Sequence, residues 1–85
     1  MVELFGRARI LAGQAVLEVP GSSLTDVLAT LADLHPELVG PVLEANGGLT
    51  PAYTINLNGT RFVRAPDTPL AEADHVLVIS SLSGG

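Results

Sequence analysis

The sequence predicts an α+β fold, a mixed sheet of four to five strands covered by one main helix. Three observations lead to this fold class. The chain has 85 residues, which is room for one small domain, expected over residues 1–80. Its elements are expected in the order strand, strand, helix, strand, strand, strand. A single long segment carries the apolar periodicity of an amphipathic helix.

Short elements open the chain. Residues 2–5 are an apolar strand candidate that Gly6 ends. Residues 7–12 are long enough for about one helical turn, with Gly13 as its expected end. Residues 15–19 are predicted as a second strand, which the turn signal Pro20-Gly21 ends.

The main helix is predicted over residues 24–35. Ser23 is its expected N-cap, with Asp26 three residues later. Pro36 stops the helix, because the residue before a proline is disfavoured in the α region. Apolar side chains at helical spacing are predicted to face the core; they are Leu24, Val27, Leu28, Leu31 and Leu34.

The connection after this helix gives less regular signals. Residues 37–44 are a candidate for a further short helix, although Gly40-Pro41 interrupts them. Asn46-Gly47-Gly48 is predicted to be a plain loop. A phosphate cradle is the competing interpretation, but no lysine and no capped helix accompany these glycines.

The second half of the chain predicts a hairpin and a central strand. Residues 53–57 alternate apolar and polar side chains, as a strand does, and residues 60–63 are predicted to be the returning strand. Between them lies Asn58-Gly59, the pair that a type I′ turn prefers. A turn through Ala73-Asp74 precedes residues 75–79, which are nearly continuously apolar. Such a run is expected of a strand that lies in the middle of the sheet and is covered on both faces.

Charge excludes one class of partner. The net charge is −5, lysine is absent, and four arginines are the only permanent cations apart from the amino terminus. The phosphate backbone of a nucleic acid would be repelled by such a chain, so no nucleic-acid partner is expected. A protein partner should instead present a basic surface.

Cysteine is absent, which excludes disulfides, a thiolate nucleophile and cysteine-ligated metal, and favours a reducing compartment. No apolar run is long enough for a membrane span, so the expected location is the cytoplasm, with no membrane partner. His35 and His75 belong to no cluster of metal ligands, and no metal is expected. No spacing of Ser, His and Asp suggests a catalytic triad.

Residues 81–85 are predicted to be a flexible tail that ends in Gly-Gly and reaches roughly 17 Å when extended. Because Gly84 and Gly85 lack Cβ atoms, they fit a narrow channel and leave a terminal carboxylate unobstructed. Attack of that carboxylate on the α-phosphate of ATP would give an acyl adenylate, from which a thiocarboxylate or an amide becomes reachable. Gly85 is therefore the predicted reactive residue, and a partner is expected to bind the ATP.

Four residues are candidates for docking that partner. Leu82 and the adjacent Ser83 lie in the tail, where Leu82 has little core to join. Phe62 and Ile79 are apolar residues that an exposed interaction patch would contain. For Phe62 and Ile79 a core position is an equal alternative.

Several segments resemble the MoaD/ThiS sulfur-carrier proteins, which have the ubiquitin-like β-grasp fold. These segments are Asn56-Leu57-Asn58-Gly59, Thr68-Pro69-Leu70 and Glu72-Ala73-Asp74-His75-Val76, followed by an apolar strand and the closing Gly-Gly. The resemblance covers nearly the whole chain. Other members commonly show Asp-Gly-Asp in place of Glu72-Ala73-Asp74 and prolines near Ser80-Ser81, so the subfamily stays open.

The resemblance implies a protein cosubstrate rather than an enzyme, with no cofactor of its own. Gly85 would be activated by an adenylyltransferase resembling the ubiquitin-activating enzymes, and a rhodanese or cysteine desulfurase would donate sulfur. A synthase for molybdopterin, thiamine thiazole, cysteine, thiolated tRNA or a secondary metabolite would accept it. Chain length and residues 35–49 favour the molybdopterin-synthase small subunit and related carriers. The alternatives are a ubiquitin-like modifier conjugated through Gly85 and an interaction module that is never activated.

Overall fold

In the computed structural model, residues 1–80 are described, and they form a mixed sheet of five strands with one main helix on one face. In chain order the elements are β1 Val2–Leu4, α1 Gly6–Ala12, β2 Val16–Leu17, α2 Leu24–Leu34, a 3₁₀ turn at Pro36–Leu38, β3 Tyr53–Leu57, β4 Arg61–Val63 and β5 Val76–Ser80. The α+β class, the mixed sheet and the single long helix are confirmed. None of the helices in this part of the chain has the length and hydropathy needed to cross a membrane.

The sheet order is β2-β1-β5-β3-β4, which places β5 at the centre. β1 and β5 are parallel, whereas β1 pairs with β2, and β3 with both β4 and β5, in antiparallel register. The predicted central position of the last strand is therefore confirmed. The strand that leads to the predicted tail therefore hydrogen-bonds to a neighbour on each edge, to β1 on one side and to β3 on the other.

The hairpin between β3 and β4 turns where the sequence predicts it. Asn58 and Gly59 have φ angles of 60° and 73°. The amide of Thr60 donates to the carbonyl of Leu57 at 3.0 Å. Positive φ at both central residues is what a type I′ turn requires, and its twist suits the flanking strands.

The helix signals are confirmed at both helices. Ser23 caps α2, and its Oγ accepts a hydrogen bond from the amide of Asp26 at 3.2 Å. Gly13 ends α1 in the left-handed conformation, with a φ of 74°. His35 is the C-cap of α2, one residue before the proline that stops it.

The predicted core stripe of α2 is correct for four of its five residues. Leu24, Val27, Leu28 and Leu31 are buried, but Leu34 is 54% exposed. Four residues later, Leu38 is fully buried in the 3₁₀ turn. That turn closes the core at this point, so the last turn of α2 has nothing apolar left to cover.

The segment after α2 differs from the predicted short helix over residues 37–44. Only the three residues of the 3₁₀ turn are helical, because Gly40 adopts a φ of 112° and its amide donates to the carbonyl of Leu43 at 2.7 Å. Val42 and Leu43 are nevertheless fully buried. The irregular connection therefore supplies part of the core.

β2 is shorter than the predicted strand of residues 15–19. It pairs through two residues, Val16 with Glu3 and Leu17 with Val2, and the amide of Leu4 also donates to the carbonyl of Ala15 at 2.7 Å. Val19 leaves the sheet and is buried in the core instead.

Candidate functional site

The central strand β5 directly precedes the predicted tail. Its last residue, Ser80, pairs with Tyr53 at the end of the sheet where β3 begins. β1 ends on the same side, and the amide of Phe5 donates to the carbonyl of Val78 at 3.2 Å. Leu82, Ser83, Gly84 and Gly85 lie outside the described residues, so their predicted roles stay predictions.

One face of the sheet is not covered by α2. The pairings place one residue from each strand in a row across that face: Val16, Glu3, Leu77, Asn56 and Phe62. Thr54 and Ile79 form the adjacent pair toward the tail. We call these seven residues the outer sheet face. Their neighbours along each strand point the other way, and most of these are buried in the core, although Arg61 and Ser80 at strand ends are exposed.

Two of the predicted docking residues lie on the outer sheet face. The side chain of Phe62 is 68% exposed, which excludes the core position that its sequence context allowed. Ile79 is half-buried and lies opposite Thr54. The structure thus brings Phe62 and Ile79 to the same surface, three strands wide, beside the strand end that leads to the tail.

The prediction that β5 is covered on both faces is wrong. Val76 and Val78 are buried beneath the helix, but Leu77 and Ile79 are only half-buried. The continuous apolar run of β5 therefore contains residues with two different roles. Alternate residues fill the core, while the remaining ones contribute to an apolar surface.

At the other end of β5, side chains of the hairpin turn hold the strand in place. Asn58 Nδ2 donates to Asp74 Oδ1 at 3.0 Å, and Asn58 Oδ1 accepts from the amide of His75 at 2.7 Å. Asp74 Oδ2 accepts from the amide of Ala71 at 2.8 Å. We call these contacts the Asn58–Asp74 clamp. The hydrogen bond from Asn58, followed by that from the Ala71 amide, lowers the pKa of Asp74.

Sequence reasoning missed this clamp. It assigned both Asn58 and Asp74 to turns, which is correct but incomplete. The clamp depends on the positive φ of Asn58, which turns its side chain toward the aspartate just before β5. That arrangement joins residues 16 positions apart in the chain and becomes visible only in the folded sheet.

The two histidines each lie near a different glutamate. His75 Nε2 is 3.1 Å from Glu3 Oε1, without the alignment of a good hydrogen bond. His35 Nδ1 is 3.3 Å from Glu37 Oε1. Within residues 1–80 there is no group of three potential metal ligands.

The loop around Asn46 is a plain loop, as predicted. Its polar groups bond to one another: Asn46 Oδ1 accepts from the amide of Gly48 at 2.9 Å, and the amide of Gly47 donates to the carbonyl of Glu44 at 2.9 Å. These amides are therefore not directed at a phosphate. The loop forms one wall of an open cavity of about 390 Å³ between α2 and the hairpin, with Arg64 on its lining.

Comparison with known proteins supports the fold and the family. Residues 2–85 match the model of the ThiS family. The structure of the small archaeal modifier protein 1 (SAMP1) from Methanosarcina acetivorans is 29% identical, with a TM-score of 0.83 over 99% of this chain and 93% of that one. SAMP1 from Haloferax volcanii is 28% identical, with a TM-score of 0.78 over 99% and 96%. No curated protein sequence matches significantly.

A more distant structure extends the likeness of fold. The BexX/CysO complex of Amycolatopsis orientalis contains a chain that is 15% identical, with a TM-score of 0.81 over 99% of this chain and 97% of that one. At this identity the comparison shows a shared fold only. The family match spans all but the first residue, and the β-grasp architecture agrees with it. The resemblance seen in the sequence is therefore confirmed, and the chain belongs to the ThiS family of ubiquitin-like sulfur-carrier proteins.

Proposed function

We propose that this protein carries sulfur on Gly85, whose carboxylate is adenylated and then converted to a thiocarboxylate. Membership of the ThiS family makes the chain a small protein carrier rather than a catalyst. One observation supports the proposal most strongly. The central strand ends at Ser80, and the residues after it carry one apolar side chain and the closing Gly-Gly.

The chemistry needs an activating step, because a carboxylate is a poor electrophile. An oxygen of the Gly85 carboxylate attacks the α-phosphorus of ATP, and pyrophosphate leaves. A sulfur nucleophile then attacks the acyl carbon, so that the C–S bond forms as the C–O bond to AMP breaks. If the nucleophile is a donor persulfide, a thiol must afterwards cleave the S–S bond to release the thiocarboxylate.

The partner of the first step is an adenylyltransferase resembling the ubiquitin-activating enzymes, which binds the ATP. The outer sheet face is its docking surface, with Phe62 and Ile79 as apolar contacts, and Leu82 and Ser83 guide the tail into its channel. An exposed phenylalanine on β4 and the half-buried Leu77 and Ile79 on β5, with β3 between them, support this assignment, since apolar side chains exposed on one face mark interaction sites. The net charge of −5 favours a basic surface on the enzyme.

The sulfur donor is of the rhodanese or cysteine desulfurase type, and the acceptor is a synthase in the cytoplasm. A synthase of the molybdopterin type or a related one suits the chain length. The segment between α2 and β3 supports this choice, because its residues Leu38, Val42 and Leu43 are built into the core.

A ubiquitin-like modifier is the second candidate, because two similar structures are of small archaeal modifier proteins. The same adenylate would then be attacked by the amine of a lysine on a target protein. The chain has no lysine, so it cannot form chains on its own side chains. An interaction module that is never activated is the third candidate, and its partner binding would survive loss of Gly84-Gly85.

The test is to mix the protein with the adenylyltransferase of its host and ATP, and to measure ATP–pyrophosphate exchange. Exchange that depends on the carrier supports activation of Gly85. Addition of a sulfur donor should then yield a thiocarboxylate, whereas high-mass conjugates on denaturing electrophoresis would favour the modifier. Binding to the enzyme without any ATP–pyrophosphate exchange would contradict the carrier hypothesis and support the interaction module.

A further inference from the structure

Asn56 is an unusual residue on the outer sheet face. It is 8% exposed, and its Oδ1 is covered yet has no hydrogen-bond partner among residues 1–80. Its cross-strand neighbours are Leu77 on β5 and Phe62 on β4. A buried acceptor without a partner destabilises a fold, and native proteins rarely retain one without a reason.

The fold itself gives no reason for an asparagine at this position. Two residues later, Asn58 uses both heteroatoms of its side chain in the Asn58–Asp74 clamp. Asn56 makes no comparable contact, although it lies in the same strand and pairs in regular register. An apolar side chain would fill the same place between Leu77 and Phe62 without an unsatisfied group.

Charge on this face indicates what the missing partner is. The outward positions of the five described strands contain one carboxylate, Glu3, and no arginine. Glu3 lies in the same row as Asn56, two strands away, which separates their backbones by roughly 10 Å. Glu3 Oε1 lies 3.1 Å from His75 Nε2, so Asn56 Oδ1 is the acceptor of this row that lacks a partner; with a carboxylate as the only permanent charge at these outward positions, a cationic donor complements the face better than an anionic one.

We propose that Asn56 determines the specificity of docking by accepting a hydrogen bond from a cationic side chain of the activating enzyme. This inference rests on the proposed function and names one recognition element of its docking surface. Phe62 is the cross-strand neighbour of Asn56, and because its ring is exposed it can change rotamer for a partner without loss of core contacts. Once docked, Phe62 and Leu77 shield the hydrogen bond from water, which strengthens a polar contact to a charge.

The decisive variant is Asn56→Leu, which keeps the approximate volume and removes the acceptor. We expect it to fold with unchanged or greater resistance to urea, because no intramolecular hydrogen bond is lost. Its dissociation constant for the adenylyltransferase, measured by calorimetry, should rise tenfold or more, roughly the contribution of a hydrogen bond to a charged group. Asn46→Leu makes the same substitution in the exposed loop between α2 and β3, outside the outer sheet face, and as the matched control it should bind within about twofold of wild type.

Asn56→Asp tests the charge of the donor. An aspartate keeps the shape and an acceptor, so against a cationic donor it should bind at least as tightly as wild type, with a steeper loss of affinity as salt is raised. Weaker binding of Asn56→Asp than of Asn56→Leu would exclude a cationic donor and overturn the proposal.

Steady-state exchange kinetics separate this proposal from the proposed function. For Asn56→Leu we expect a raised KM for the carrier and an unchanged kcat, since Asn56 acts on docking and not on the reacting carboxylate. If wild type is activated and Asn56→Leu has the same KM, the role of Asn56 is wrong while the carrier function stands. If wild type itself supports no exchange, both are wrong.

Discussion

The two ends of β5 are built for different purposes. At its start, the Asn58–Asp74 clamp fixes the turn before the strand, and the amide of Val76 donates to the carbonyl of Met1 at 2.8 Å. At its end, the strand pairs with Tyr53 through Ser80 and passes to the predicted reactive tail. The comparison teaches that fold stability and carrier chemistry are assigned to opposite ends of one strand, so substitutions should affect them separately.

The largest expected effect is at the tail end. Deletion of Gly85, or addition of one residue after it, should reduce carrier-dependent ATP–pyrophosphate exchange by at least about 100-fold, because the reacting carbonyl is displaced in the enzyme's site. The free energy of unfolding in urea should stay within about 0.5 kcal/mol of wild type. Full exchange by the extended protein would show that the two ends are not specialised in this way.

The opposite pattern is expected at the clamp. Asn58→Ala removes two side-chain hydrogen bonds and places an alanine at a φ of 60°, which should lower the free energy of unfolding by about 2 kcal/mol. Asn58→Gly tolerates the φ angle and isolates the loss of the hydrogen bonds. At a temperature where both variants stay folded, exchange kinetics should match wild type; a large fall in kcat would couple the clamp to the chemistry.

Phe62→Ala should show an intermediate pattern, because the residue lies on the outer sheet face and not in the core. We expect the KM of the carrier in the exchange assay to rise about tenfold, as for loss of an aromatic contact at an interface. Since the ring is 68% exposed, urea stability should change by less than about 0.5 kcal/mol. Equal KM values for wild type and variant would remove the outer sheet face as the docking surface.

The smallest effect concerns pH. Because the folded protein lowers the pKa of Asp74 below its ordinary value of 3.8, the stability it contributes is complete above that value. The contribution is lost as pH falls through the lowered folded pKa. Urea unfolding of wild type and Asp74→Asn from pH 7 downward should therefore show a difference that shrinks below about pH 4. A difference that grows with acidity would contradict the assigned sign.

Local signals were sufficient for much of this structure. The caps at Ser23 and Gly13 and the turn at Asn58-Gly59 are set by neighbouring residues, and each appears where the sequence predicts it. The order of strands and helix and the central position of β5 follow from such elements combined with general rules of topology.

Long-range packing decided what the sequence did not show. Leu34 has the correct helical spacing, yet it is exposed because Leu38 from the following turn fills the core instead. The apolar run of β5 resembles a strand buried on both faces, and only the placement of α2 shows that Leu77 and Ile79 face outward. For the same reason Phe62 could not be assigned to surface or core from its strand alone.

The most direct measurement is the intact mass of the protein purified from its native host under sulfur-replete conditions, beside a variant extended after Gly85. For wild type we predict a species heavier by the exchange of one oxygen for sulfur, which a thiol-specific alkylating reagent labels at the C-terminus and which is absent from the extended variant. A wild-type protein found only as the unmodified carboxylate or joined to other proteins would contradict the sulfur-carrier account.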